Sequence, residues 1–584
     1  MNIFRKLSWF FKAYKGSYFI GVTMLVAVAI LVLIPPKIIG YTLDAIADGS
    51  LTRRQLVTYL VVIFGIAIAT YVMRFYWRKM IFGTSNILAK ILRERLFRHY
   101  TKMGPSFYEQ KRIGDLMAHA TNDISAVQMA AGGGILMLFD SFITGGFVIV
   151  AMAFTIDWRL TLLALLPLPI MALLTSYYGK LLHKHFGAAQ EAFSNLNDKA
   201  QESISGVKVI KSFGYEKEDL ADFTALSEQV VEKNTKVARV DALFDPTIGF
   251  VIMLSFLLTL GFGTKFILDG AISVGDLVTF TTYLGLLVWP MLAIGMLFNI
   301  VERGSASYDR IQAILNEKPE EDAAGAIEQV PHGDISFDVT SFTFPGDEKP
   351  TLHHVAFQLK AGETLGIVGR TGSGKSAIVK LLLRQFEQFE GEIAYGGQPI
   401  VAYARDAYMQ ALGYVPQEHF LFSTTVKNNI AFANIEATQA EVEQAAKLAY
   451  IHDDILSFTD GYETVVGERG VALSGGQKQR ISIARALLLK PNLLILDDSL
   501  SAVDARTEEA ILKNLREERQ QATTIIISHR LSAITDADTI LFMEDGTVVE
   551  QGTHEQLMAL NGRYYEMYQL QQLEALVERG GSGA

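Results

Sequence analysis

Gly369, Arg370, Thr371, Gly372, Ser373, Gly374, Lys375 and Ser376 follow the pattern G-x-x-x-x-G-K-S. An apolar, strand-like run at 365–368 precedes them and a helix-like stretch at 377–385 follows, which is the context that gives such a loop its chemistry. Its backbone N–H groups and the helix N-terminus would cradle phosphates, Lys375 would reach the β and γ oxygens, and Ser376 would hold Mg²⁺. Further on, Leu493, Leu494, Ile495 and Leu496 end in Asp497. Four apolar residues bury such a strand and deliver one carboxylate to the metal.

Between these two motifs stand Leu473, Ser474, Gly475, Gly476 and Gln477. With them, the second half resembles the nucleotide-binding domain of an ABC transporter, and LSGGQ is the signature that this family presents to the neighbouring subunit's ATP. Ser474 and the amides of Gly475 and Gly476, at a helix N-terminus, suit a γ-phosphate. The resemblance implies ATP and Mg²⁺ as cofactors, and two domains sandwiching two nucleotides head to tail. It makes Gln417, in Tyr-Val-Pro-Gln, the glutamine that touches the metal and reports to the membrane domain. It makes Ser501 to Asp504 the D-loop and His529 the switch histidine at the γ-phosphate. Phe344 takes the place where the family usually stacks a tyrosine on adenine, and a phenyl ring keeps the stacking without the hydroxyl. Val466, Gly467, Glu468, Arg469 and Gly470 resemble an exporter-specific loop ahead of the signature.

One position departs from the family. Its catalytic base is a glutamate directly after the metal-strand aspartate, and here that residue is Asp498. A general base must come within about 2.6–3.2 Å of its water. Removing one methylene withdraws the carboxylate by about 1 Å or more, a misplacement that can cost about 10²-fold in rate. The site built on Lys375 and Asp497 is therefore expected to bind ATP and hydrolyse it slowly, while the intact signature can complete a competent site on another subunit. That combination resembles one half of a heterodimeric bacterial multidrug exporter. A homodimer whose aspartate still works is the alternative.

These groups need elements to position them, and the chain supplies two kinds. Of 584 residues, 50 % are hydrophobic and 20 % charged, and the mean hydropathy is +0.24, values that exclude a disordered or coiled-coil protein and fit one partly dissolved in lipid. Residues 1–315 carry 30 Lys and Arg against 23 Asp and Glu, and the rest 22 against 39. A basic, apolar half followed by an acidic, mixed half reads as a membrane domain joined to a cytosolic one, not as a nucleic-acid binder. With no cysteine, disulfides, thiolate metal sites and cysteine nucleophiles are excluded.

Six apolar runs, at 18–41, 56–77, 130–154, 160–178, 242–268 and 277–301, each approach the 20 or so residues that cross a bilayer. The first is too long for a signal peptide. The connections 74–125 and 179–241 hold ten and nine basic residues, whereas 44–55, 155–159 and 265–276 hold two, one and one. By the positive-inside rule the long connections and both termini are cytoplasmic. A continuous helix over 56–103 would measure about 70 Å, so it should project as a stalk and stop at Gly104-Pro105. Pro35, Pro36, Pro167, Pro169 and Pro290 should kink their spans or serve as hinges. Asp140 lies within an apolar run, where a charge costs about 3 kcal/mol. It is a candidate for the substrate pathway, sensing cationic substrate or protons, or else for a hydrogen bond between helices. Residues 106–124 and 205–218 match the positions of the family's two cytoplasmic coupling segments.

The expected architecture is thus a membrane all-α domain of six helices (1–316), a linker (317–333) and a cytosolic α/β P-loop ATPase domain (334–579). The final Gly-Gly-Ser-Gly-Ala at 580–584 looks like a scar added in cloning. The resemblance implies ATP-driven export of amphipathic compounds across a bacterial cell membrane, with a second, similar subunit carrying the glutamate as partner. A lipid flippase or peptide exporter is the alternative within the fold, and a nucleotide-gated regulatory subunit the alternative outside it.

Overall fold

The computed structural model describes residues 2–319, 325–467, 472–518 and 522–581. Glu468, Arg469 and Gly470 of the exporter-specific loop, 320–324 of the expected linker and 582–584 of the tail lie outside these. The chain divides into two units, Met1–Thr101 with Ile113–Lys318, and Lys102–Arg112 with Pro319–Ala584.

The first unit is built on six long helices, α1 (Lys15–Ala47), α2 (Arg53–Tyr100), α3 (Ile113–Thr155), α4 (Trp158–Ser205), α5 (Glu216–Leu268) and α6 (Val274–Asn316), each long and apolar enough to cross a membrane. Each contains one of the six apolar runs. The expected stalk is present: α2 has 48 residues, about 72 Å at 1.5 Å per residue. It starts three residues earlier than its apolar pattern because Thr52 and Gln55 form a capping box. The Gln55 amide donates to Thr52 Oγ1 at 3.3 Å and the Thr52 amide to Gln55 Oε1 at 2.9 Å, satisfying two donors that a helix start leaves free.

The prolines break their helices at defined places. Regular α-helix is interrupted at Val32–Leu33 in α1, Leu166–Pro167 in α4 and Leu287 in α6, and Pro35, Pro169 and Pro290 each fall in the first turn of the segment that resumes. A residue without an N–H fits there because first-turn amides have no helical acceptor. α1 and α6 meet at Gly40 and Gly275, where a Cβ on Gly275 would lie 2.0 Å from the Gly40 carbonyl oxygen. Asp44 then caps α6, accepting from Ser273 Oγ at 2.6 Å and the Gly275 amide at 2.7 Å.

Among its described residues the second unit holds ten strands: β1 (Ile335–Phe342), β2 (Leu352–Leu359), β3 (Thr364–Gly369), β4 (Glu390–Tyr395), β5 (Gln398–Pro399), β6 (Leu412–Val415), β7 (Leu493–Asp497), β8 (Thr523–Ile527), β9 (Thr539–Glu544) and β10 (Thr547–Gly552). One sheet, antiparallel, runs β2-β1-β4-β5, and the other runs β10-β9-β3-β8-β7-β6. All pairs of the second sheet are parallel except β9–β10. The two strands expected from sequence, β3 and β7, lie at its centre with β8 between them, where Thr524 pairs with both Thr364 and Leu494. Four helices matter to the site: α7 (Lys375–Leu382), α8 (Gly475–Leu488), α9 (Ala505–Glu518) and α10 (Arg563–Gly581). α7 is shorter than the expected 377–385 at its far end, because Arg384 takes φ +50° and turns its guanidinium back onto the Tyr403 carbonyl at 2.8 Å.

Candidate active site

The loop from Gly369 to Ser376 joins β3 to α7, at the C-terminal edge of the parallel strands. Its glycines are dictated by space. Gly369 has φ +155°, and a Cβ there would meet the Met543 carbonyl oxygen at 2.2 Å; Gly374 has φ +97°, and its Cβ would meet Leu352 at 2.8 Å. Lys375, only 6 % exposed, folds over the loop and donates from Nζ to the carbonyls of Gly369 at 2.9 Å and Arg370 at 2.8 Å. Burial lowers its pKa, and the carboxylates of Asp498 and Asp497 pull it back up. Arg370, Thr371, Gly372 and Ser376 lie exposed along the same loop, with Ser373 buried beneath them.

β7 carries four buried aliphatic residues to Asp497, which is 7 % exposed. Burial and the adjacent Asp498 hold its carboxyl above the usual range, against Lys375 and a hydrogen bond from Tyr414. A carboxylate desolvated in this way beside a second one favours a cation, and Asp497, Ser376 and Gln417 would hold Mg²⁺, which neutralises charge building up on transferring phosphate. Gln417 is exposed just beyond the end of β6.

Asp498 has a left-handed backbone, φ +46°, a region aspartate enters more easily than most residues. Its amide donates to the Ile527 carbonyl at 2.8 Å and its carbonyl accepts from Ser501 Oγ at 2.9 Å. Its carboxylate is close enough to act electrostatically on Lys375, Asp497 and His419. His419 has a buried Nδ1 without a hydrogen-bond partner, and burial lowers its pKa. The sequence reading missed it, although a titratable residue two positions after Gln417 was a usable signal.

The signature forms the start of α8. Ser474 is its N-cap, accepting from the Gln477 amide at 3.2 Å, while Gln477 Oε1 accepts from the Ser474 amide at 3.1 Å. Gln477 is thereby a capping residue, and the exposed Ser474 and Gly475 leave first-turn amides without helical acceptors. Leu473 is buried beneath them. Gly476 touches the D-loop so closely that a Cβ would lie 3.0 Å from the Ala502 carbonyl oxygen. Asp504 caps α9 through the amide and hydroxyl of Thr507, at 3.0 and 2.7 Å, and these bonds lower its pKa. Among the described residues no hydrogen bond or ion pair joins residues 473–477 to the phosphate loop.

His529 follows β8, and what holds it was not legible in the sequence. Gln571 of α10 donates from Nε2 to the His529 carbonyl at 2.7 Å and accepts from the Leu531 amide at 2.9 Å, bracketing the loop. Arg530 donates to the Val503 carbonyl at 3.0 Å and to Glu508 at 3.3 Å, and Ser532 donates to Glu508 at 3.1 Å. Gln479 of α8 accepts from the Ala502 amide at 3.1 Å. Signature helix, D-loop and His529 loop are thus tied within one chain. Two bonds worth about 1 kcal/mol each hold the loop through Gln571. With His529 expected at the γ-phosphate of this chain's own site, Gln571→Ala should lower the ATPase kcat of the chain purified alone about tenfold with nucleotide KM unchanged, and a rise in KM alone would show that His529 does not depend on them.

Phe344 packs edge-on against Phe342 and Phe386, with ring centroids 4.9 and 5.3 Å away. The Lys380 ammonium sits 5.1 Å from its ring and donates to Glu109 at 2.6 Å. Glu109 belongs to the short helix Pro105–Gln110, the part of the first expected coupling segment that groups with the second unit. Asp140 opens a π-helical turn, Asp140–Thr144, and lines a cavity of about 390 Å³ that Arg74 and Arg78 also line. A role in sensing cations has to contend with those two arginines.

Residues 18–291 match the family described as the ABC transporter transmembrane region and residues 352–501 the family described as ABC transporter. The chain is 46 % identical over 584 residues to a probable multidrug resistance ABC transporter ATP-binding/permease protein, YheI of Bacillus subtilis, covering all of both chains. It is 46 % identical over 580 residues to the multidrug resistance-like ATP-binding protein MdlA of Escherichia coli, covering 99 % of this chain and 98 % of that one. Among solved structures, a bacterial Atm1-family ABC exporter with ATP bound superposes with a TM-score of 0.77 at 27 % identity, over 96 % of this chain and 98 % of that one. With six apolar helices ahead of a phosphate loop, metal-strand aspartate and signature, the chain belongs to the ABC transporter family, as a multi-pass membrane exporter whose ATPase uses ATP and Mg²⁺ to drive transport.

Proposed function

We propose that this chain is one subunit of a heterodimeric exporter of amphipathic drugs, in which its own ATP site is degenerate and its signature completes the partner's catalytic site. The observation that carries this reading is Asp498 in the place of the family's glutamate, in a chain whose signature is intact. Lys375, Ser376, Asp497 and Gln417 would bind nucleotide and metal in this site, with Phe344 against the base and His529 at the γ-phosphate. Asp498 would activate water poorly, so this site would act as a clamp while the partner's site turns over. The second unit and both termini would face the cytoplasm.

Two further features support a partner. Ser474 and Gly475 are exposed at a helix N-terminus suited to phosphate, and among the described residues no hydrogen bond or ion pair joins them to the phosphate loop of the same chain. The short helix Val207–Phe213, in the second expected coupling segment, is preceded by exposed Ile204 and ends in Phe213, which is 83 % exposed. An apolar tip of this kind is unusual in water and fits a groove on another subunit. ATP would have to bind the closed pair much better than the separated one, since a ligand shifts a conformational equilibrium only by its differential affinity.

The test is to purify the chain with and without a similar subunit that has glutamate after its metal-strand aspartate. ATPase activity should be at least about tenfold higher for the pair, and removing the partner's glutamate should nearly abolish it, because a general base contributes about 10²–10⁴-fold. Equal turnover by the lone chain and the pair would sink the asymmetric assignment and leave a homodimeric flippase or exporter in its place.

A further inference from the structure

Ahead of the first span the chain is basic, with Arg5, Lys6, Lys12 and Lys15 all preceding the first acidic residue, Asp44. The segment folds as two short helices, Asn2–Lys6 and Ser8–Ala13, that lead into α1 at Lys15. Backbone bonds carry the helical turn across both joints, from the Leu7 amide to the Ile3 carbonyl at 2.9 Å and from the Tyr14 amide to the Phe10 carbonyl at 3.0 Å. One face is therefore continuous, and Arg5, Ser8, Lys12 and Lys15 lie along it, three or four positions apart. All four are exposed. On the opposite face Ile3, Leu7 and Phe10 are fully buried.

Polar contacts fix where this segment rests. Lys6 donates to Ser305 Oγ at 2.9 Å and pairs with Asp309 at 2.6 Å, and Trp9 Nε1 donates to Tyr308 Oη at 3.3 Å. These partners on α6 lie four to eight residues past the apolar run that ends at 301, which is about 6–12 Å along the helix. Both short helices thus lie at a membrane boundary, where α1 enters the hydrocarbon and α6 leaves it. Lys6 is committed to α6, whereas among the described residues no hydrogen bond, ion pair or ring contact holds Arg5, Lys12 or Lys15. Their face runs on into α1, where Phe19, four residues after Lys15, is 72 % exposed on a helix long and apolar enough to cross the bilayer. A row of unpaired cations that continues into an apolar, outward-facing surface fits lipid heads better than a soluble partner.

We propose that Arg5, Lys12 and Lys15 form a docking surface for the head groups of anionic phospholipids in the adjoining leaflet. A basic segment held against such a leaflet is attracted over about one Debye length. Because Lys6 and Trp9 bind the same segment to α6, lipid docked there also anchors that end of α6 to the membrane surface. The surface is an exposed helix face rather than a cavity among the spans, and nothing in it depends on Asp498, on a partner subunit or on the exported compound.

The chain has no cysteine, so Ser8→Cys offers a single attachment point for a fluorophore on this face. The full-length labelled protein is placed in discs of phosphatidylcholine that contain a small, equal fraction of phosphatidylglycerol or phosphatidylcholine bearing the same quencher on the same acyl position. Phosphatidylglycerol should quench at least about twofold more, because it gathers beside the label, and adding Arg5→Gln, Lys12→Gln and Lys15→Gln should make the two lipids equal. Equal quenching with the three cations in place, or an unchanged ratio without them, overturns the proposal and leaves the face to an acidic protein segment. Should the variant without the cations fail to fold, salt decides on the protein that keeps them: the ratio falls toward one as ionic strength rises if these charges hold the heads, and a salt-independent ratio rules them out.

Discussion

Asp498→Glu should raise ATP turnover of the chain purified alone about 100-fold, whereas Asp498→Asn should lower it by less than about threefold. Two copies of this chain would supply each other with an intact signature, so in such a pair only the base is out of reach. Restoring one methylene moves the carboxylate outward by about 1 Å, and a misplacement of that order is worth about 10² in rate, or about 2.7 kcal/mol of barrier. On the proposed reading the asparagine variant removes a base that contributes little, so its effect should be small. The backbone adds a condition. Residue 498 sits at φ +46°, where aspartate is tolerated better than most side chains, so the glutamate variant should also unfold at a slightly lower temperature. Brisk turnover by the unaltered chain alone, within tenfold of the glutamate variant, would mean that Asp498 reaches its water, and the clamp reading would have to be given up.

How much of this was legible in the sequence depends on how local each cause is. The phosphate loop, β3 and β7 follow from short runs, because a buried parallel strand is nearly uniform in apolar residues and the glycines answer to contacts a few residues away. The six helices of the first unit are legible for a similar reason, since a bilayer demands length and apolarity together. Their ends are set by finer signals. The Thr52–Gln55 capping box starts α2 before its apolar run, and the first-turn positions of Pro35, Pro169 and Pro290 decide where the helices resume. The antiparallel sheet β2-β1-β4-β5 was not expected, since its strands alternate buried and exposed residues and are paired across long stretches of chain. Least legible are the supports of the site. Gln571 reaches His529 across 42 positions and Gln479 reaches Ala502 across 23, and no local pattern announces a side chain whose partner is set by packing alone. The same holds for Arg74 and Arg78, which read as loop charges until α3 and α6 supply the walls of their cavity.

Ser474→Arg, placed in this chain and assayed in the proposed heterodimer, should reduce ATP turnover at least about 100-fold with the proposed partner and its glutamate left unaltered. Three effects act together at one helix end. The N-cap bond from the Gln477 amide to Ser474 Oγ is lost, which typically costs about 1 kcal/mol of helix stability. A cation arrives at the positive end of the α8 dipole, where it is disfavoured. The long side chain also fills the space beside the Gly475 and Gly476 amides, which would donate to the γ-phosphate, and removing a single donor from a developing oxyanion costs about 10²–10³ in kcat. Ser474→Ala separates these contributions: it removes the cap and the hydroxyl but leaves the amides open, and should cost only about tenfold. The two variants test the head-to-tail arrangement between them, because the altered residue and the proposed catalytic glutamate lie on different chains. If Ser474→Arg left turnover unchanged, the partner's ATP would not be meeting this signature. The intact 473–477 run would then be a well-capped helix start, with Gln477 retained for the capping box alone.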